Sequence, residues 1–274
     1  MPPRTPPRFD EDAERYDRVR PAYPAQLVDD VIALAQLSER GRALEVGAGT
    51  GKATVMFADR GVTVHALEPS PAMARIARRN CRRHPNVTFE ETGLQRWRPP
   101  GRRFELVFSA QAWHWVAPSV RCARAREALL DGGLLAVFWS RPDWEHCGLR
   151  DRMRAAYARS GADLGPDPGP LHPDSEIAPD RYEDWDAEIA SARGLAGAEV
   201  RHYESSSRYT TDGYLELLRI SRDHAGLPDS DREAHPTAVG RVIDDEGGSF
   251  AMNYVTKLCL ARARGATIQG DAEQ

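Results

Sequence analysis

The chain has 274 residues, is 41% hydrophobic, and sets 37 Lys and Arg against 41 Asp and Glu for a net charge of −4. That length suffices for one large domain with its own core, and the near balance of charge supplies no field that would draw the protein to nucleic acid or to an anionic membrane. Cys81, Cys122, Cys147 and Cys259 form no CxxC pair, the basic, Pro-rich opening lacks the apolar stretch of a secretory signal, and no later run is long enough to span a bilayer, so the expectation is a cytoplasmic protein with reduced thiols and no metal.

Residues 1–8 read as a tail, because closely spaced prolines deny it helix and ladder hydrogen bonds. From Pro24 to Leu37 the apolar residues recur at helical spacing, which predicts an amphipathic helix. The pattern then switches to short strands and helices: strands at Ala43–Val46, Val62–Leu67, Val87–Glu90, Phe104–Ala110 and Leu134–Trp139, helices at Ala53–Asp59, Pro71–Asn80 and Val120–Leu130. This alternation predicts βαβ units and a doubly wound, Rossmann-like α/β sheet, mostly parallel. Beyond Arg141 the rhythm breaks. A helix is expected at Leu149–Arg159, a Pro- and Gly-rich loop at Gly161–Pro179, a helix at Asp212–Arg222, and strands at Glu199–Thr210 and Phe250–Ala263 that pair antiparallel on the sheet edge.

The strongest chemical signal is Leu44-Glu45-Val46-Gly47-Ala48-Gly49-Thr50-Gly51, set between a strand and a helix, where glycines let the backbone turn sharply and approach a ligand. A Walker phosphate loop would place glycine at Val46 and Ser or Thr at Ala53, and fails at both. A dinucleotide fingerprint would place its third glycine one position later than Gly51, which disfavours a nicotinamide oxidoreductase. Glu68 ends the second strand, and its two oxygens match the vicinal diol of a ribose. Glu45 is positioned to order the turn or to face a ligand's ammonium group; for either acid the alternative is a solvated surface charge.

Gln111-Ala112-Trp113-His114-Trp115 follows the fourth strand, at the sheet edge where ligands sit in open α/β folds. Trp113 and Trp115, with Trp139, could wall a site against water and offer π-faces to a cation or an aromatic substrate, or could simply pack the core. His114 is the candidate general base, since an imidazole titrates near neutral pH, although it could equally bond a backbone carbonyl.

Taken together, these segments resemble the class I S-adenosylmethionine-dependent methyltransferases, and within them the small-molecule branch similar to trans-aconitate methyltransferase. The likeness is carried by Phe9-Asp10 and Ala13 to Pro21, by Leu44 to Gly51, by Leu67-Glu68-Pro69, by Ser109 to Val116, and further on by Tyr209 to Leu218, Ser221 to Leu227 and Tyr254 to Arg262. It implies S-adenosylmethionine as cofactor, with S-adenosylhomocysteine as product. Glu45, Gly47, Ala48 and Gly49 would lie along the methionine part, Glu68 and Pro69 at the ribose, Met73 over the adenine, and Thr92, Gly93, Leu94 and Ala110 around the base and the reacting centre. Gly93 departs from the polar or acidic residue usual in the family. Tyr16 and Arg20 would close over the cofactor or touch the acceptor, while Ser221 and His224 would line the acceptor pocket.

The resemblance also divides the chain: cofactor-covering helices at 9–40, a cofactor-binding core at 41–141, a lid at 142–198, the C-terminal part of the sheet with substrate-side helices at 199–266, and a tail at 267–274. The expected activity is methyl transfer to a small molecule, an aromatic or indole-type acceptor or else a carboxylate of a trans-aconitate-like acid, by a monomer or homodimer. Arg141 and Arg150 are candidates to recognise such a carboxylate. A non-catalytic protein that only binds the cofactor is the alternative of another class.

Overall fold

The computed structural model describes residues 9–37, 41–98, 104–160, 169–175, 185–221, 224 and 227–265. The expected tails and most of the Gly161–Pro179 loop lie outside these residues. The chain begins with helices α1 (Phe9–Val19) and α2 (Ala25–Ala35), then alternates β1 (Arg42–Val46), α3 (Lys52–Ala58), β2 (Thr63–Leu67), α4 (Pro71–Asn80), β3 (Val87–Glu90), β4 (Phe104–Ala110), α5 (Pro118–Ala128) and β5 (Leu129–Pro142). It continues through α6 (Arg150–Ser160), α7 (Trp185–Ser191), β6 (Leu195–Thr210), α8 (Thr211–Arg219), α9 (Asp229–Asp244) and β7 (Ser249–Ala263).

The seven strands form one sheet in the order β3-β2-β1-β4-β5-β7-β6. β3 through β5 run parallel, and β7 joins antiparallel to both β5 and β6, which is the Rossmann-like arrangement the alternation predicts. β1 reads Arg-Ala-Leu-Glu-Val without polar alternation because helices cover both faces and four of its five residues are buried. One face packs Leu44, Val46, Leu135 and Val137 against α5 and α7; the other packs Ala43, Val64, Phe108 and Phe138 against α2 and α3. Each fully buried aliphatic side chain on these faces contributes roughly 1.5–3 kcal/mol.

Several boundaries differ from expectation, each for a local reason. α2 stops at Ala35 because Gln36 turns left-handed with φ 50°. α5 starts at Pro118, whose fixed φ suits the first helical turn, and it ends before Leu129, which pairs with Phe104 as the first residue of a longer β5. α7 and α9 were not expected at all. α9 holds Pro236 in its interior and Gly240, both unfavourable to a helix, yet it buries Val239, Val242 and Ile243 against α6 and α8. This third cluster also takes in Trp144, Tyr214, Phe250, Met252 and Tyr254. It forms a helical cap on the ends of β6 and β7, beside the carboxyl end of β5.

Candidate active site

The strand order reverses between β1 and β4, and the crevice outside the carboxyl ends of these strands is where open α/β sheets bind ligands. The glycine turn follows β1 and residues 111–116 follow β4, so both sequence motifs meet there. The amides of Gly47 and Ala48 donate to the carbonyl of Leu67 at 2.9 and 3.0 Å, which ties the turn to the end of β2.

The three glycines serve different neighbours, although all have positive φ. A Cβ at Gly47 would lie 2.3 Å from Ala112 Cβ, so the turn after β4 occupies the space a side chain would need. A Cβ at Gly51 would press on Ala77 of α4 at 3.2 Å. Only Gly49 faces open space, with nothing within 4 Å of such a Cβ. It is the glycine that leaves room for a ligand.

Glu68 is almost fully buried. Its Oε2 accepts the Gly49 amide at 2.7 Å and its Oε1 the Ser70 amide at 2.9 Å. Its two oxygens have the spacing to match a vicinal diol such as that of a ribose. Glu45 has no exposed surface. Thr54 Oγ1 donates to its Oε2 at 2.5 Å, while Oε1 meets no hydrogen-bond partner among the described residues. Burial pushes this carboxyl up to about 8, opposed by the Thr54 bond and reinforced by Glu68. A buried acid with an idle oxygen beside an open backbone fits a ligand that brings a cation, and the ammonium of S-adenosylmethionine is such a group.

α1 packs across α4 over this crevice. Ala13, Met73 and Ile76 form a small buried cluster with Tyr16 and Ala72 against it. Asn80 Nδ2 donates to Asp17 at 3.0 Å and to the Thr50 carbonyl at 2.9 Å, which links the N-terminal helix to the glycine turn. Arg79 adds an exposed pair with Glu14 at 2.7 Å. Arg20 stacks over Tyr16 at 5.2 Å. Thr92, Gly93 and Leu94 follow β3, with Leu94 buried, and a Cβ at Gly93 would meet Gln95 Oε1 at 3.0 Å. Ala110 closes β4, nearly buried.

The methyltransferase domain family matches residues 43–133. This segment is similar to methyltransferase domains. It spans β1 through the start of β5 and contains the glycine turn, Glu68 and the turn after β4. An uncharacterised methyltransferase of Mycobacterium bovis is 34% identical over 148 residues, covering 53% of this chain and 57% of that protein. A trans-aconitate 2-methyltransferase of Variovorax paradoxus is 29% identical over 147 residues, covering 53% and 52%. The chain thus spans a little over half the length of these curated relatives. Among solved structures, phosphoethanolamine N-methyltransferase 2 of Haemonchus contortus, in complex with phosphomonomethylethanolamine and S-adenosylhomocysteine, superposes with TM-score 0.54 at 16% identity, over 93% of this chain and 58% of that one. The YcgJ protein of a Bacillus gives 0.54 at 16% identity over 89% and 100%. These two share the fold.

The aromatic residues around the methyltransferase domain divide by burial. Trp113 is fully buried in the core, with the Arg121 guanidinium 5.7 Å above its ring and Arg121 donating to its carbonyl at 3.1 Å. That environment is core packing. Trp139 is also nearly buried, against Trp185 at 4.3 Å edge-on and beneath Lys257 at 5.2 Å. His114 and Trp115 are half-buried. Their rings lie 4.5 Å apart, and His114 stacks parallel to Trp185 at 6.4 Å. Trp185 went unnoticed in the sequence because no periodic pattern surrounds it. Gln111, part of the motif but given no role of its own in the sequence, takes the left-handed conformation at φ 58°. Its side chain donates to the Ser140 carbonyl at 2.9 Å, pinning the turn after β4 to β5.

Ser221 and His224 gather elsewhere, in the cap. His224 Nδ1 meets Ser221 Oγ at 2.9 Å, and its ring lies 4.7 Å from His235, whose Nδ1 meets Ser160 Oγ at 2.8 Å. Burial lowers His224 to about 3 and His235 to about 4, so both are neutral at ordinary pH. Arg150 donates to the Pro173 carbonyl at 3.1 Å. Among the described residues, no group of three or more His, Cys, Asp or Glu could hold a metal ion, and no helix is long and apolar enough to cross a membrane.

Proposed function

We propose that the protein transfers the methyl group of S-adenosylmethionine to a small organic acceptor. The observation that carries this reading is the pairing of Gly49, which faces open space, with two buried acids of different capacity. Glu68 accepts the Gly49 and Ser70 amides and presents a carboxylate that matches a ribose diol; Glu45 keeps one oxygen idle for an ammonium. Met73 would cover the adenine, with Pro69, Thr92, Gly93, Leu94 and Ala110 around it, and Tyr16 and Arg20 would close the site from the N-terminal side.

The bound cofactor supplies an electrophilic methyl on a sulfonium. The chain's own task is to hold the acceptor's nucleophile in line with that methyl and to keep water away, and orientation of this kind can supply about 7–11 kcal/mol of a barrier. Where the nucleophile is an alcohol or amine, half-buried His114 is the group to take its proton; where it is a carboxylate or an electron-rich carbon, no base is required. Trp115 and His114 offer π-faces suited to an indole or phenol, whereas the names of relatives such as the Variovorax protein support an acid of the trans-aconitate type. The protein is proposed to work in the cytoplasm, as a monomer or homodimer, on small molecules and not on nucleic acid.

Isothermal titration with S-adenosylhomocysteine tests the reading without knowledge of the acceptor. One-to-one binding at micromolar or lower concentration is expected. Absence of heat at several temperatures would overturn it, and binding without turnover across a broad acceptor panel would favour a cofactor-binding protein that is not an enzyme.

A further inference from the structure

Between the N-terminal segment and the far end of β6 lies a cleft of about 300 Å³, lined among others by Arg18, Arg20, Arg208, Tyr209, Thr210 and Gly213, with no acidic side chain among the described residues on its walls. Arg18 is paired at the rim with Glu216 at 3.3 Å, and Arg208 donates to Ser249 Oγ at 3.1 Å. Arg20 is different. Its Nε is shielded from water and meets no acceptor among the described residues, and no carboxylate there pairs with its guanidinium. A shielded cationic donor without a partner is costly.

Facing it are two buried phenols. Tyr209 Oη and Tyr254 Oη lie 2.7 Å apart, and one hydroxyl proton closes that bond while the other is left to donate elsewhere. Burial holds both phenols protonated, above their ordinary range, and the positive charge of Arg20 acts on each in the opposite direction. α8 begins at the same place, but Thr210 Oγ1 already accepts the Gly213 amide at 3.2 Å and Asp212 stands in its first turn, so the positive field of the cleft comes from its arginines and not from the helix end. Charge and donors both select an anion. A planar guanidinium beside a single free phenol suits the two coplanar oxygens of a carboxylate.

We propose that this cleft is a carboxylate-binding subsite for the methyl acceptor, with Arg20 as counter-ion and the Tyr209 and Tyr254 pair as hydrogen-bond donor. The inference rests on the methyltransferase reading above and deepens it: the acceptor carries an acid group, whether or not the rest of it is aromatic. A neutral indole or phenol would leave the shielded Nε of Arg20 without an acceptor.

The test is titration of the full chain with S-adenosylhomocysteine and then, at saturation, with trans-aconitate and with indole-3-acetate. At least one acid is expected to bind, with affinity reduced roughly tenfold or more in Arg20→Gln and by a smaller factor in the double variant Tyr209→Phe, Tyr254→Phe, while Arg20→Lys, which keeps the charge and loses the planar fork, recovers only part of it. Because Arg20 stands on the N-terminal side of the cofactor site, each acid affinity is compared with the same variant's affinity for S-adenosylhomocysteine, and in Arg20→Gln the acid is expected to lose at least about threefold more than the cofactor product; thermal melting checks that each variant is folded. The inference is overturned if neither acid binds, or if wild type and Arg20→Gln bind them equally. It is also overturned if Arg20→Gln weakens S-adenosylhomocysteine but not 5′-methylthioadenosine, which lacks the amino-acid carboxylate, since Arg20 would then serve the cofactor. No heat from the wild type with S-adenosylhomocysteine would instead refute the methyltransferase reading, and titration with the two acids alone would still decide the cleft.

Discussion

The crevice at β1 and β4 and the cap around α6, α8 and α9 are built in opposite ways. In the crevice, chemistry is local in sequence: eight consecutive residues supply the turn, the idle oxygen of Glu45 and the open face of Gly49, and backbone amides do most of the fixing. In the cap, the buried polar groups are isolated residues set in apolar packing, such as His224, His235 and Tyr254, drawn from distant stretches of chain and held by one or two side-chain contacts each. A region fixed by its backbone tolerates side-chain change and is broken by crowding; a region fixed by buried side chains tolerates backbone drift and is broken by charge.

Crowding gives the largest effects. Gly47→Val adds a left-handed penalty of about 1–2 kcal/mol to an overlap with Ala112, where overpacking costs typically another 1–3 kcal/mol, because the added Cβ would lie 2.3 Å from its neighbour. We expect a lower urea midpoint together with loss of S-adenosylhomocysteine binding. Gly49→Val meets no protein atom, so its stability cost should stay near the left-handed penalty of about 1–2 kcal/mol, yet it fills the ligand's approach and should abolish binding. If both variants lose stability equally, the three glycines do not divide as described.

Charge should act on the cap. His224 and His235 are lowered to about 3 and about 4 from 6.5 by burial. Below 6.5 the unfolded chain takes up protons that the folded cap refuses, so stability is full above 6.5 and falls as pH drops toward 4. The loss is on the order of a few kcal/mol. Hydrogen exchange at pH 5 should show amides of α6, α8 and α9 losing protection before those of β1 and β4. Simultaneous loss in both regions would break the comparison, and the variant His224→Gln, His235→Gln should flatten the pH dependence.

This contrast also explains what could be read from the sequence. The glycine turn, Glu68 and the parallel strands were legible because backbone-driven structure leaves contiguous patterns. A further need for glycine lay hidden: a Cβ at Gly47 would meet Ala112 and one at Gly51 would meet Ala77, and such contacts between distant turns carry no local signature. α9 was hidden by Pro236 and Gly240, and Gly240 is itself a packing choice, since a Cβ there would press on Leu215 of α8 at 3.3 Å. Trp113 looked like a wall of the site from its neighbours in sequence, yet its indole turns into the core under Arg121. Arg20, Tyr209 and Tyr254 each stood in a segment similar to known methyltransferases, but their meeting could not be inferred from spacing.

The smallest effect is also the most direct probe of the crevice. Burial pushes Glu45 up to about 8 from 4.5, so at pH 7 the free protein holds this carboxyl mainly protonated, with stability from the neutral form complete below 4.5 and lost as pH rises through 8. An ammonium at its idle oxygen would favour the ionised form. Binding of S-adenosylhomocysteine near pH 7 should therefore release up to about one proton, read as a difference in observed heat between buffers of unlike ionisation enthalpy. Glu45→Gln should abolish that release, weaken binding, and raise thermal stability at pH 8, because the amide carries no charge to bury. Unchanged heats across buffers would mean that Glu45 does not meet the ammonium, and the idle oxygen would then belong to the protein's packing and not to its ligand.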